Sequence, residues 1–148
     1  MHSFVSCLMH VVFSTKDRRL WITGELQERL WPYLGGIARE NKMKAIEVGG
    51  VADHVHILIS LPSPLAIAKA VQLIKGNSSK WIHETFPAMK SFEWQEGYGA
   101  FTFAAKDLEP VRGYVLNQEE HHRVKTFQEE YVAILKLGMV EHDDRYLW

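Results

Sequence analysis

The stretch Asp53-His54-Val55-His56-Ile57-Leu58-Ile59 constrains this chain more than any other. Alternate side chains of a β-strand share a face. Val55, Ile57, Ile59 and Leu61 then make one continuous apolar face that must be covered, and His54 and His56 fall side by side on the other. The length of 148 residues suits one compact domain. We therefore read 1–148 as a single layered domain, with helices on the apolar side of the sheet.

The rest of the chain supplies those layers. Phe4–Ser14 is rich in Val, Phe and Leu and reads as the first strand. Thr23 caps a helix to about Asn41 on the spacing of Leu26, Leu30, Leu34 and Ile37, with Pro32 expected to kink it or shift its start. Lys44–Val48 reads as a strand, Gly49-Gly50 as a turn or bulge and His54–Leu61 as the next strand. A helix starting at Ser63-Pro64 carries Ile67, Val71, Ile74, Ser78, Trp81 and Ile82 on one face. Trp31, Trp81 and Trp94 read as core rather than as base-stacking platforms. Phe92–Trp94 and Ala100–Ala104 read as short strands, followed by a helix from about Leu108 to His122 capped by Asp107. Thr126-Phe127-Gln128-Glu129 is a capping box that opens a last helix ending at Gly138. Helices alternating with strands and a hairpin in the order β-α-β-β-α-β-α-α specify an α+β fold: a ferredoxin-like (RRM-like) sandwich with a mainly antiparallel sheet.

Composition narrows the function classes. Hydrophobic residues at 47% and charged residues at 24% exclude wholesale disorder. No apolar run approaches the roughly 18 residues of a membrane span, and Met1–Phe13 lacks a basic leader, so it reads as a strand and not a secretory signal. The single cysteine, Cys7, excludes an intrachain disulfide and fits a reducing cytoplasm. The net charge of −1 neither demands nor forbids a polyanionic partner. Lys16, Arg18 and Arg19, and the lysines around Lys75 and Lys80, are local basic patches able to meet phosphates or simply to be solvated.

Two imidazoles presented from a rigid strand are half of a metal site, but a His-x-His pair also occurs on half-exposed sheets with no task. Tyr114 and Gln118, four apart on a helix, share a face. Alone they are a packing residue and a surface residue; beside the histidine pair they offer a nucleophile and an oxygen ligand. His10 shares the face of the pair if the strand register allows, and His121 and His122 cap the helix end or contact a ligand. Gly113, directly before Tyr114, weakens its helix by about 1 kcal/mol relative to alanine; it either permits close approach or is a surface glycine.

These residues bring the chain to a resemblance. Asp53-His54-Val55-His56, followed later by Tyr114-Val115-Leu116-Asn117-Gln118, resembles the single-tyrosine HUH transposases of small insertion sequences, the IS200-like transposases. Asn117-Gln118-Glu119-Glu120-His121-His122-Arg123 looks like the subgroup related to REP-associated tyrosine transposases. Ser14-Thr15-Lys16-Asp17-Arg18-Arg19, Lys75-Gly76-Asn77-Ser78-Ser79-Lys80, Trp94-Gln95-Glu96-Gly97-Tyr98-Gly99-Ala100-Phe101 and Asp144-Arg145-Tyr146-Leu147-Trp148 extend the likeness over almost the whole chain.

The resemblance implies a catalytic Tyr114 and a divalent metal, Mg²⁺ or Mn²⁺, held by His54, His56 and Gln118. It implies single-stranded, hairpin-containing DNA as the partner, a 5′-phosphotyrosine intermediate with a free 3′-OH, and a homodimer in which sites are shared between subunits. Lys16, Arg18, Arg19, Lys75, Ser78 and Lys80 are then the expected DNA contacts, and an exposed sheet face would stack bases. The expected location is the prokaryotic cytoplasm. Other readings remain. A histidine-triad hydrolase would need a third alternating histidine where Leu58 stands, and a two-histidine phosphodiesterase a second His-x-Thr or His-x-Ser pair within a strand. A non-catalytic module that binds hairpin nucleic acid would need neither tyrosine chemistry nor metal.

Overall fold

A computed structural model describes residues 2–123 and 125–143. Its strands are β1 (Leu8–Ser14), β2 (Lys44–Val51), β3 (His54–Ser60) and β4 (Gly99–Thr102), and its helices are α1 (Gly24–Glu40), α2 (Ile67–Thr85), α3 (Leu108–Leu116), α4 (Gln118–His122) and α5 (Phe127–Leu137). The sheet order is β2-β3-β1-β4, and every pairing is antiparallel. This is the ferredoxin-like α+β sandwich expected from the element order. No helix among the described residues is long and apolar enough to cross a membrane.

The inner face of the sheet carries Met9, Val11, Phe13, Val55, Ile57 and Ile59. These pack with Leu26, Leu30 and Leu34 of α1 and Ala70, Val71, Ile74 and Ile82 of α2 in the main core. Trp31, Trp81 and Trp94 pack against that core, as their spacing suggested. The outer face is covered as well. Val12 joins Phe127, Tyr131 and Leu135 of α5 in a second, smaller core, and α3 and α4 lie against β2. His54 to Ile59 are therefore buried on both faces. The outer face is not the exposed base-stacking face expected from the resemblance.

Several boundaries differ from the sequence reading, each for a local reason. β1 begins at Leu8 because its pairing ends at Leu8↔Ser60, leaving Phe4 and Val5 exposed despite their strand-like character. Gly49 and Gly50 lie inside β2, opposite His56 and Val55, and the irregularity falls between Ala45 and Glu47. A Cβ on Gly49 would lie 2.4 Å from the Val115 carbonyl oxygen, so the missing side chain lets α3 rest on β2. Ser63 and Pro64 form a turn, and α2 starts only after Ala66. Phe92 is buried in a loop, and Trp94 makes one isolated bridge to Thr15 instead of a strand. α1 runs through Pro32 without interruption and starts after Thr23. The helix expected over 108–122 is broken at Asn117 into α3 and α4. α5 matches its capping box, with Thr126 Oγ1 accepting from the Glu129 N–H at 3.2 Å.

A candidate metal centre beside a tyrosine

β3 projects His54 and His56 from the outer face, and the antiparallel register sets Val12 opposite His56. That places His10, two residues earlier on β1, diagonally across from His56. Their rings stack with centroids 5.0 Å apart, and His10 Nε2 lies 2.8 Å from His56 Nδ1. The shared face that the sequence left dependent on register is thus realised.

The break at Asn117 turns Gln118 inward. Its amide nitrogen donates to the Tyr114 carbonyl oxygen at 3.0 Å, and its Oε1 lies 3.2 Å from both His54 Nε2 and His122 Nε2. α5 then lays a carboxylate over the group. Glu130 Oε1 lies 3.0 Å from His56 Nε2 and 3.6 Å from His54 Nε2, and Oε2 lies 3.4 Å from His122 Nε2. His54, His56, Gln118 and Glu130 are all buried. The four expected residues, Tyr114 included, come together in one place. The ring of Tyr114 stands 5.7 Å from that of His56 and 4.5 Å from that of His121. A Cβ on Gly113 would meet nothing within 4 Å, so that glycine serves no close approach.

Glu130 and His122 are the additions that sequence reasoning missed or left uncommitted. Their signal was present. Phe127, Glu130, Tyr131, Ile134 and Leu135 recur at helical spacing, so Glu130 is a carboxylate set in an apolar stripe. Buried carboxylates are rare without partners.

The charges in this cluster depend on one another. Burial would lower the pKa of His54, but the Asp53 carboxylate on its Nδ1 at 2.7 Å and the Glu130 carboxylate outweigh it and raise the value to about 8. Burial holds His56 down to about 4, with the neighbouring His54 adding to the effect, and holds His10 down to about 3. Burial alone would raise Glu130, yet the bonds from His54 and His56 hold it well below the usual carboxylate range. Tyr114 is pushed above its ordinary value, first by burial and then by the negative charge of Glu130.

His54, His122 and Glu130 offer ligand atoms within 4.8 Å of one another, a group that could hold a metal ion. Imidazole nitrogens with carboxylate and amide oxygens suit a divalent ion of borderline hardness. A histidine ligand whose far nitrogen donates to a carboxylate, as His54 does to Asp53, is the usual support for such a site. The residues present therefore fit a metal.

The expected DNA contacts are dispersed. Lys16 pairs with Glu93 at 2.9 Å on the surface, and Arg19 and Lys80 are exposed. Arg18 is half-buried. Lys75 donates to the carbonyl oxygens of Gln95 and Gly97. Burial lowers its pKa to about 8. Ser78 is buried, bonded to the Lys75 carbonyl and to the Trp94 indole N–H, and so out of reach of a DNA strand. Lys16 and Lys75 line one groove of about 470 Å³, which Glu93 and Glu96 line too.

Comparison with known proteins shows the family and the fold. The family model described as "Transposase IS200 like" covers residues 3–118. The transposase for insertion sequence element IS200 of Salmonella typhimurium is 26% identical over 129 residues, 83% of this chain and 84% of that protein. The ISDra2 transposase TnpA of Deinococcus radiodurans is 26% identical over 116 residues, 75% of this chain and 83% of that protein. A transposase crystal structure from Deinococcus radiodurans superimposes with TM-score 0.66 at 23% identity, covering 80% of this chain and 95% of the other. The REP-associated tyrosine transposase bound to a REP hairpin superimposes with TM-score 0.60 at 14% identity, covering 82% and 72%. Both likenesses speak to the fold. With the family model spanning most of its length, the chain belongs to the IS200-like transposase family, whose activity is DNA transposition.

Proposed function

We propose that this transposase cuts and rejoins single-stranded DNA through Tyr114, beside a divalent metal held by His54, His56 and Gln118 with Glu130 and His122 within reach. The observation that carries the reading is the convergence of a half-buried tyrosine, two strand histidines and a helix glutamine from separate elements onto one cluster. When bound, a divalent ion with open positions acts as a Lewis acid for a phosphodiester. Imidazole ligation favours Mn²⁺ over Mg²⁺.

The chain's own residues do the rest. Asp53 fixes His54 with Nδ1 protonated and Nε2 turned to the cluster. Gln118 ties the cluster to the backbone at Tyr114. The Tyr114 hydroxyl is held protonated at neutral pH, so its proton must leave as its oxygen attacks phosphorus. The bond to the 3′ oxygen breaks and that oxygen takes up a proton, giving a 3′-OH and a 5′-phosphotyrosine link. Because the phosphoester bond is conserved in this exchange, another 3′-OH can reverse the step and join a new strand.

The hairpin carried by the REP-associated neighbour supports hairpin-containing DNA as partner. Lys16, Arg18, Arg19, Lys75 and Lys80 are the remaining candidate contacts. Tyr114 lies beside His56 of its own chain, which supports a site complete within one subunit even where two subunits pair as a homodimer. The reaction then takes place with the DNA in the prokaryotic cytoplasm.

The test uses 3′-labelled hairpin oligonucleotides from the DNA flanking the gene, mixed with protein and Mn²⁺ or Mg²⁺ and run on a denaturing protein gel. Label should travel with the protein and vanish with EDTA or Tyr114→Phe. Hairpin binding with no adduct, for every flank and both metals, overturns the reading in favour of a non-catalytic binding module.

A further inference from the structure

His56 differs from an ordinary metal-supporting histidine in the partner of its far nitrogen. His54 has a carboxylate there, whereas His56 Nδ1 faces another imidazole, His10 Nε2, at 2.8 Å. Both rings are buried. A carboxylate only accepts hydrogen bonds, so with Glu130 at 3.0 Å from its Nε2, His56 carries a proton on that nitrogen. A neutral His56 then has a bare Nδ1, and the short contact requires the His10 Nε2–H to donate to it.

Metal ligation through His56 Nε2 demands the opposite arrangement. The coordinating nitrogen must be bare, the proton then sits on Nδ1, and the acceptor the structure supplies is His10 Nε2. We propose that His10 is the positioning residue for His56, and that loading a divalent ion reverses the hydrogen bond between the two rings. The inference rests on the metal-binding reading above. The proton balance is closed within the pair. The shared proton passes from His10 Nε2 to His56 Nδ1, His56 gives up its Nε2 proton, and His10 takes one on Nδ1.

The consequence is a histidine pair that changes tautomer with the state of the site. His10 lies diagonal to His56 across the β1–β3 register, held by strand pairing on both sides of that position. It can therefore lock the ring of His56 in a coordinating orientation without touching the metal or the substrate.

The experiment titrates Mn²⁺ into full-length wild type, His10→Gln and His10→Phe by calorimetry, with circular dichroism as the folding control. Loss of such a support to a ligating histidine lowers metal affinity about 10–100-fold. His10→Phe should show that loss, and His10→Gln, whose amide oxygen can accept from Nδ1–H, should recover most of it. In parallel, ¹⁵N imidazole shifts of wild type with and without Mg²⁺ should show His56 change from Nε2–H to Nδ1–H; this arm stands even if His10→Phe fails to fold. Wild-type binding with equal affinity in His10→Phe overturns the role of His10 alone. A His56 that keeps Nε2–H when loaded takes His56 out of the ligand set and overturns this inference together with that part of the metal reading. No saturable Mn²⁺ binding by wild type overturns the metal reading and this inference together.

Discussion

Glu130 Oε1 accepts from His56 Nε2 at 3.0 Å although 74 residues separate them in the chain. The contact joins the last described helix to the central hairpin and puts a negative charge at the centre of the histidine cluster. Glu130→Gln keeps the shape and removes the charge. Without that charge, the His54 pKa should fall from about 8 toward its ordinary 6.5. Mn²⁺ affinity should drop at least tenfold, on the order of the loss when a metal site's supporting group is removed. NMR titration of the metal-free variant and calorimetry read the two effects; an unchanged affinity would show that Glu130 neither holds nor supports the metal.

Gly49→Ala should injure the site from outside it. The new methyl would meet the Val115 carbonyl at 2.4 Å, a backbone atom that only a shift of α3 can clear. Overpacking of this kind costs about 1–3 kcal/mol. Tyr114 precedes Val115, so adduct formation should fall together with thermal stability. A variant as stable as wild type and fully active would show that α3 moves freely on β2.

The metal-free protein should lose stability on mild acidification. His10 and His56 have folded pKa values near 3 and 4, below their unfolded 6.5. Below pH 6.5 the unfolded chain binds protons that the folded one refuses, so folding weakens down toward the folded values. His54 has the opposite sign. Its raised value adds stability that is complete below pH 6.5 and lost as pH rises through about 8, which offsets only a little of the acid loss. At about 1.4 kcal/mol per pH unit for each neutral histidine, the net loss between pH 6.5 and 5 is about 2–3 kcal/mol. Denaturant melts in EDTA at the two pH values measure it; a flat profile would mean the two rings are not held neutral.

Lys75→Met should loosen the loop before β4. The Lys75 ammonium bonds the carbonyl oxygens of Gln95 and Gly97 and stands 5.1 Å from the centre of the Phe13 ring. Methionine keeps much of the stem and loses both donors, at a cost of about 1–2 kcal/mol. Thermal melting and faster amide exchange around Gly97 would register the change. An unaltered melting temperature would leave the ammonium free to act on DNA instead.

Period-two alternation made the His54/His56 face and the Val55, Ile57 and Ile59 core legible, because one inner layer of helices settles which face is which. Thr126 and Glu129 announced α5 by local chemistry. What alternation cannot report is a second layer on the outer face. The burial of His56 depends on α5 folding back across the sheet, a relationship between distant segments with no local mark except Glu130 in its apolar stripe. The break at Asn117 was equally hidden, since it carries neither proline nor glycine, and Gly49-Gly50 read as a turn because their purpose, room for α3, lies in another element. Phe4 looked like strand because it is apolar, yet no neighbouring strand reaches it.

That α5 supplies the carboxylate has a consequence for the order in which the protein comes into being. During synthesis the two strand histidines leave the ribosome long before Glu130 does, and the sheet with its inner helices can form in that interval. The histidine cluster stays open until α5 closes on it. A chain ending before Phe127 would keep the residues of the inner core while lacking those of the outer one, so the carboxylate joins the histidines only once α5 has been made.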